Sequence, residues 1–197
     1  MNYRGAKNFI LNKLQAELPR GLSYHGLNHT KDVLRIATSL CAAEGVKGRQ
    51  VKLIKTAALL HDAGFIKNQH SGHEHQGCLI ASNVLPTFGY TPADIEEICK
   101  MIMSTKIPQS PDNLPECILC DADLDYLGRP DFYKIGRSLF EELTRYNLIT
   151  DEKAWNRLQI SFLSAHSYHT NTNRRLREPV KRSYLTELEN AIEELTT

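Results

Sequence analysis

Residues 51–65 have the sequence VKLIKTAALLHDAGF, and the fold predicted for the whole chain is built outward from this segment. Side chains recur at helical spacing from Ile54 through Ala58 to His61, which predicts a buried helix that ends just after the pair His61-Asp62. Burying an ionised carboxylate is costly unless a cation or hydrogen-bond donors compensate its charge. The pair therefore has two interpretations: ligands of a divalent metal, for which imidazole and carboxylate are ordinary donors, or a helix C-terminus in contact with solvent.

The composition of the chain is that of an ordinary globular protein. Its 197 residues are 41% hydrophobic and 24% charged, which predicts one sizeable domain over residues 1–197. The formal net charge of +1 predicts no general attraction to nucleic acid or to an anionic membrane. The sequence has no apolar run of about 18 residues and no secretory signal at its start, so we expect a cytoplasmic protein without a membrane span.

Cysteine usage predicts the same compartment. The five cysteines are an odd number and occupy apolar helical positions, which is typical of reduced thiols in the cytoplasm. Cys117 and Cys120 have the spacing of half a zinc site, but the sequence has no second C-x-x-C pair to complete it. We therefore expect structural thiols in the core.

The rest of the sequence also has helical patterns. Thr91 is suited to cap a helix whose first residue is Pro92, and Asn28 is suited to cap the helix that begins at His29. The sequence shows no strand-like alternation and no repeat. These patterns predict an all-α, single-domain bundle of about nine helices. The predicted helices cover residues 6–18, 29–44, 49–62, 73–85, 92 to about 104, 116–127, 131–147, 151–169 and 174–195.

Two further stretches carry candidate ligands. His25 and His29 are four residues apart, and His29 begins an apolar helix face that continues through Val33. Asp123 lies at the margin of the buried face of its helix, in a segment with an aspartate at every second position. Each stretch has an ordinary alternative. For His29 it is a core-edge histidine bonded to a carbonyl group, and for the aspartates it is a solvated helix face.

Taken together, the three stretches predict a metal site. Each places a His or Asp beside the core-facing stripe of a different helix, and helical bundles commonly build metal sites where such stripes meet. Nitrogen and oxygen donors from these stretches would leave positions open for water. Catalytic metals use such open shells, whereas structural zinc sites are closed and favour cysteine. The four predicted ligands are His29, His61, Asp62 and Asp123.

The order of these residues resembles the HD superfamily of metal-dependent phosphohydrolases, whose fold is an all-α bundle. Residues 24–33, YHGLNHTKDV, are similar to the segment in which cyclic-nucleotide phosphodiesterases place a catalytic histidine before a metal-binding histidine. Residues 58–64 resemble the family's His-Asp helix, and residues 72–81 resemble its H-x-x-x-A/G helix. The likeness covers about residues 22–128, the expected metal-binding core, and residues 129–197 would complete the bundle.

The resemblance implies further roles. Asp62 would act in catalysis as a ligand that also bridges to a second metal, and His25 would donate a proton to the leaving oxygen. Three more residues are candidates for a second metal or for the substrate phosphate: His73, His75 and Lys106. Of the two histidines, His75 is favoured because it shares a helix face with Leu79 and Ser82.

These roles imply hydrolysis of a small phosphoester, with a nucleotide or cyclic nucleotide as the expected substrate. A divalent ion lowers the pKa of a bound water towards about 7 and so supplies hydroxide at neutral pH. The donor set admits Mn, Fe, Mg, Co or Zn, as one ion or two. An HD-like di-iron oxygenase, which the histidines near residues 70–75 would permit, and a non-catalytic nucleotide-binding module stay open as alternatives. We expect no nucleic-acid or membrane partner, and association of identical copies is compatible with the sequence.

Two sets of residues receive no catalytic role. Trp155, Leu158 and Phe162 share one face of their helix and are predicted to be core, while His166 and His169 are predicted to be capping or surface residues. A basic cluster near the start of the last helix is interpreted as a solvated face, with a contact to nucleotide phosphate or RNA as the alternative. The cluster consists of Arg174, Arg175, Arg177, Lys181 and Arg182.

Overall fold

The structure, a computed structural model, describes residues 1–67 and 72–194. Within these ranges all regular secondary structure is helical, which confirms the predicted all-α, single-domain bundle. The ten α-helices are α1 Tyr3–Glu17, α2 Leu27–Ala43, α3 Arg49–Leu60, α4 His73–Val84, α5 Pro92–Ser104, α6 Leu114–Asp123, α7 Phe132–Arg145, α8 Glu152–Ala165, α9 Asn171–Leu176 and α10 Glu178–Glu194. Three short 3-10 helices cover Ala63–Ile66, Leu85–Phe88 and Asp125–Gly128.

The described helices exceed the predicted number by one because the last predicted helix is divided. Helix α9 ends at Leu176, and α10 begins at Glu178, directly before Pro179. Proline has no backbone N–H to bond to the preceding helical turn, so it favours a helix start over a continuous helix. The final predicted residue of this segment, residue 195, lies outside the described residues.

The predicted helix starts are right at α5 and wrong at α2. Thr91 caps α5, and its side chain and that of Asp94 form a reciprocal capping box. Helix α2 instead begins at Leu27 with Gly26 as its N-cap, so Asn28 lies inside the first turn. The Gly26 carbonyl accepts the first helical hydrogen bond, from Thr30 N, which extends α2 two residues beyond the predicted start.

Helix α3 is the central element of the larger hydrophobic core. It contacts α1, α2, α5 and α6, and Leu53, Ile54 and Ala57 on it are completely buried. A fully buried leucine or isoleucine contributes about 1.5–3 kcal/mol relative to an exposed one. Because α3 is enclosed by neighbouring helices, the His61-Asp62 pair at its C-terminal end is held at a fixed place inside the bundle.

A second, smaller core joins the C-terminal helices to the end of α6. Its buried residues are Tyr24, Leu124, Tyr126, Leu127, Phe132, Leu163, Tyr168 and Leu188. Polar contacts reinforce it. Asp121 accepts hydrogen bonds from the backbone N–H groups of His169 and Thr170, both at 2.8 Å, and Asp125 Oδ1 lies 2.8 Å from Arg177 Nε. These two aspartates flank Asp123 in sequence and tie it to the C-terminal segment.

All five cysteines are free thiols. Among the described residues, no helix combines the length and the apolar character needed to cross a membrane.

Candidate metal centre

Three helices bring three of the predicted ligands together. His29 lies in the first turn of α2, His61 directly follows α3, and Asp123 is the last residue of α6. The Nε2 atoms of His29 and His61 are 3.2 Å apart, and Asp123 Oδ1 lies 3.0 Å from His29 Nε2 and 3.5 Å from His61 Nε2. Donor atoms this close can bind one ion in common.

Asp62 directs its two oxygens to different histidines. Its Oδ2 lies 3.4 Å from His29 Nε2 and 3.2 Å from His61 Nε2, while its Oδ1 lies 3.6 Å from His73 Nε2. Oδ2 is buried, yet it accepts no hydrogen bond from any described residue. A buried carboxylate oxygen without a hydrogen bond is unfavourable unless a cation compensates it. The donor set therefore fits a divalent ion.

The backbone of α3 orients His61 for metal binding. Its Nδ1 lies 3.0 Å from the carbonyl oxygen of Ala58, one turn earlier. Because the carbonyl can only accept, Nδ1 carries the proton, and a neutral ring then presents the lone pair of Nε2 to the other donors. A hydrogen bond of this kind is the usual support for a metal-binding histidine.

The charges in the cluster stabilise one another. Burial alone would lower the pKa of His61, but the carboxylates of Asp62 and Asp123 hold it well above its ordinary value. Burial alone would raise the pKa of both carboxyl groups, but the nearby histidines lower it below the usual range. Metal binding displaces protons from such donors, so the site can exchange imidazole protons for a divalent ion.

His25 is held next to the metal donors by a residue that the sequence does not single out. Glu142 of α7 places Oε1 2.5 Å from His25 Nδ1, and its Oε2 accepts the backbone N–H groups of Tyr24 at 2.7 Å and His25 at 3.1 Å. The His25 ring stacks on Phe65 with 4.4 Å between ring centroids. Burial lowers the pKa of His25, but the hydrogen bond that His25 donates to Glu142 and the charge of Asp62 outweigh it and raise the pKa. The Glu142 carboxylate therefore favours the protonated form of His25.

The structure separates the three candidates for a second metal or phosphate contact. His73, the first residue of α4, lies against Asp62 Oδ1, and its Nε2 is 3.5 Å from Glu74 Oε1. His75 is exposed, because two residues turn a helix by about 200° and direct it away from His73. The preference for His75 over His73 therefore does not agree with the geometry. Lys106 is exposed and does not line the cleft described below.

Two glycines allow α4 to approach the end of α3. A Cβ atom on Gly64 would overlap the backbone of His73, and one on Gly77 would lie 2.8 Å from the Leu60 carbonyl oxygen. This close approach is the physical reason for a glycine four residues after His73, and it brings the buried Glu74 beside the same site.

A cleft with a volume of about 250 Å³ opens from the metal donors towards α7 and α8. Its polar end is lined by His25, Asp62, His73, Glu74 and Asp123. Its apolar wall includes Ile107, Leu139, Leu143, Trp155, Leu158 and Phe162. The last three share a helix face, as predicted, and that face borders the cleft. Phe162 also packs against the second core, as predicted, whereas the Leu158 side chain is 46% exposed.

A family model described as HD domain matches residues 26–125, half of the chain. The chain belongs to the HD domain family. HD domains bind divalent metals, and this membership together with the site supports a metal-dependent hydrolase of the HD superfamily.

Three solved structures share the fold. A predicted HD superfamily hydrolase from an uncultured Thermotogales bacterium has 24% identity and a TM-score of 0.61, with 96% of this chain and 92% of that chain covered. Bacillus subtilis YpgQ, solved in complex with ADP, has 21% identity and a TM-score of 0.64, with 97% of each chain covered. A protein from Lactobacillus plantarum has 18% identity and a TM-score of 0.67, with 98% of this chain and 97% of that chain covered. No curated protein matches the sequence.

The basic cluster of this HD domain protein is only partly a solvated face. Arg174, Arg175 and Arg182 are exposed, whereas Arg177 is half-buried and Lys181 is buried. Arg177 pairs with Asp125, Arg174 Nε donates to the Tyr168 carbonyl oxygen, and Lys181 is buried with its Nζ bonded to the His166 carbonyl oxygen. Three of the five basic residues therefore hold the C-terminal helices in place. The pattern of charges along one helix could not reveal these partners, because they come from other parts of the chain.

Proposed function

We propose that this HD domain protein hydrolyses a small phosphoester, with nucleotides and cyclic nucleotides as candidate substrates. In this proposal a divalent ion is held by His29, His61, Asp62 and Asp123, and His25 supplies the proton for the leaving oxygen. The observation that carries the proposal is the buried Oδ2 of Asp62, which has no hydrogen-bond partner among the described residues and lies among two imidazoles and a second carboxylate, beside the His25–Glu142 pair.

A bound divalent ion would supply a nucleophile from water at neutral pH and offset the charge of the phosphoryl oxygens. The protein residues do the rest. The Ala58 carbonyl and the surrounding core fix the orientation of His61, and the buried carboxylates set the charge of the site. A ligand shell that is held in advance loses little freedom when the substrate binds.

Proton delivery is assigned to the pair His25 and Glu142. Glu142 accepts the Nδ1 proton of His25, which leaves Nε2 to carry the proton that the leaving oxygen needs. Because Glu142 also accepts two backbone N–H groups, its carboxylate is held in position and does not compete for the substrate. In B. subtilis YpgQ, ADP is bound to a protein of the same fold, which supports testing nucleotides first.

The test is a panel of phosphoesters assayed with Mn, Co, Mg, Zn or Fe, with the metal content measured on the same preparation. We expect metal-dependent release of phosphate or of a phosphomonoester. Oxygen consumption by a protein with two irons, and no hydrolysis, would replace the proposal with the oxygenase alternative. Nucleotide binding that survives removal of the metal, without turnover, would replace it with the binding module.

A further inference from the structure

The cleft beside the metal donors has a distinctive distribution of charge. Its polar end carries the carboxylates of Asp62, Glu74 and Asp123, and no lysine or arginine is among the described residues that line it. The sequence between Lys67 and Gly72, outside the described ranges, contains neither of these residue types. Apart from a protonated histidine such as His25, divalent ions at the predicted site would therefore be the source of positive charge for a bound phosphate.

The nearby basic side chains are engaged elsewhere. Arg129 forms ion pairs with three aspartates. Its Nη1 lies 2.8 Å from Asp32 Oδ2 and 3.4 Å from Asp125 Oδ2, and its Nη2 lies 2.8 Å from Asp131 Oδ2. Lys181 is buried and lies 3.1 Å from Glu178. Moving either residue into the cleft would leave buried or partly buried carboxylates without their partners, which is costly.

The far wall of the cleft is apolar and open to solvent. Ile107 and Leu158, which line it, are 52% and 46% exposed, and Trp155 and Phe162 of α8 line the same cleft. Exposed apolar side chains around a cavity are stabilised when an apolar group covers them. A charged phosphate against this wall would lose water and gain no cation.

From this combination we propose that the substrate carries one phosphate group, esterified to a bulky and largely apolar organic group that lies along α7 and α8. The inference rests on the proposed phosphoesterase function. It narrows the substrate class to apolar esters of a single phosphate, in preference to nucleoside diphosphates such as ADP. In the reaction, the bond from phosphorus to the ester oxygen breaks, and a bond from phosphorus to a water oxygen forms. The leaving oxygen takes up a proton and departs as the apolar alcohol.

The experiment compares esters that differ in one property at a time. The metal-loaded protein is assayed with octyl phosphate and ethyl phosphate, and with methyl octyl phosphate and dimethyl phosphate, because the leaving oxygens in each pair have similar intrinsic reactivity. The additional methylene groups, six in the first pair and seven in the second, should raise kcat/KM by at least about 50-fold in the pair that is hydrolysed when they are partly buried. Octyl diphosphate adds one charged group to the same chain. Its reaction is followed as octanol release, because that step breaks the same kind of phosphorus–ester oxygen bond and leaves the more reactive anhydride bond out of the comparison; we expect kcat/KM for this release to be at least about 10-fold lower than for octyl phosphate.

A matched pair of variants tests whether the wall is responsible. Leu158→Ser alters the apolar wall of the cleft, whereas Leu176→Ser alters a leucine on α9 that is 52% exposed and does not line it. We expect Leu158→Ser to reduce the preference for the octyl ester about 5-fold and Leu176→Ser to leave it unchanged.

The possible outcomes distinguish failure of this inference from failure of the proposed phosphoesterase function. Equal rates for octyl and ethyl esters, faster hydrolysis of ADP than of octyl phosphate, or faster octanol release from octyl diphosphate than from octyl phosphate would overturn the inference and leave phosphoester hydrolysis standing. Hydrolysis of a nucleotide or cyclic nucleotide but of none of these alkyl esters would likewise overturn the inference alone. If the metal is bound and neither these esters nor any nucleotide or cyclic nucleotide is hydrolysed, the proposed function fails and the inference fails with it.

Discussion

Helices α2, α3 and α6 supply the four candidate metal ligands, whereas α7 and α8 supply Glu142 and the apolar wall of the cleft. The first region consists of residue types that are rarely buried without a purpose, such as the His61-Asp62 pair. The second consists of leucines, aromatic residues and one glutamate, which any amphipathic helix contains. In our proposal the first region holds the metal, whereas the second region supports the proton donor through Glu142 and contacts the organic part of the substrate.

The largest expected effect tests the metal-binding half. Asp62→Asn keeps the size of the side chain but removes the charge that faces three histidines, so we expect the bound metal to be lost and the phosphoesterase activity to fall at least about a thousandfold. Metal analysis and kcat measured on one preparation provide the check. Asp112→Asn, at an exposed aspartate, is the matched control and should retain both properties. Normal activity in Asp62→Asn would show that the Asp62 carboxylate is not required for the reaction.

The next prediction links the two halves. In Glu142→Gln the metal should stay, but His25 loses the carboxylate that raises its pKa, so kcat should fall about 10- to 100-fold. Activity that needs protonated His25 is lost as pH rises through the pKa of that residue. A lower pKa therefore moves the alkaline limb of the kcat–pH profile to lower pH in the variant.

Glu141→Gln is the control for this experiment because Glu141 is exposed and adjacent in sequence. A Glu142→Gln enzyme with reduced kcat but an unshifted pH profile would show that Glu142 supports the fold alone and does not act on the His25 proton.

The fold and the candidate metal ligands could be predicted because their signals are local. The apolar periodicity of residues 51–65 and the His-Asp pair belong to one short segment, in which the pair directly follows α3, and Asp123 lies within one residue of a recognisable core face. Glu142 could not be predicted, because it lies 117 residues from His25 and looks like the neighbouring Glu141. The Trp155, Leu158 and Phe162 face was identified but assigned to the core, since periodicity indicates a common face and not what that face contacts.

A smaller effect is expected where the C-terminal helices are attached to α6. Buried Asp121 accepts the backbone N–H groups of His169 and Thr170 and the Thr170 hydroxyl, so Asp121→Asn would place an amide NH₂ against donors. We expect a loss of about 2–4 kcal/mol in the free energy of unfolding, measured by urea denaturation against Asp112→Asn. Unchanged stability would indicate that apolar packing alone holds the two halves together.

The smallest effect concerns His166, the residue that ends α8. Burial and the charge of Lys181 lower the pKa of this histidine to about 4, and its buried Nε2 has no hydrogen-bond partner in the described part of the chain. In the unfolded chain the pKa of a histidine is about 6.5. At a pH between the folded-state pKa and the unfolded-state pKa, the unfolded state therefore binds more protons than the folded state. The free energy of unfolding should therefore decrease as pH falls from about 6.5 towards 4. Because the ring is only partly screened from water, we expect this residue to account for about 1–2 kcal/mol of the decrease.

Urea denaturation at pH 7 and pH 5 checks this prediction, with His166→Gln as the variant and the exposed His75→Gln as the control. The difference in stability between the two pH values should shrink in His166→Gln and persist in His75→Gln. Equal pH dependence in both variants would mean that the attachment of α8 and α10 does not depend on the charge of His166. The acid sensitivity of the fold would then belong to the histidines and carboxylates of the metal-binding half.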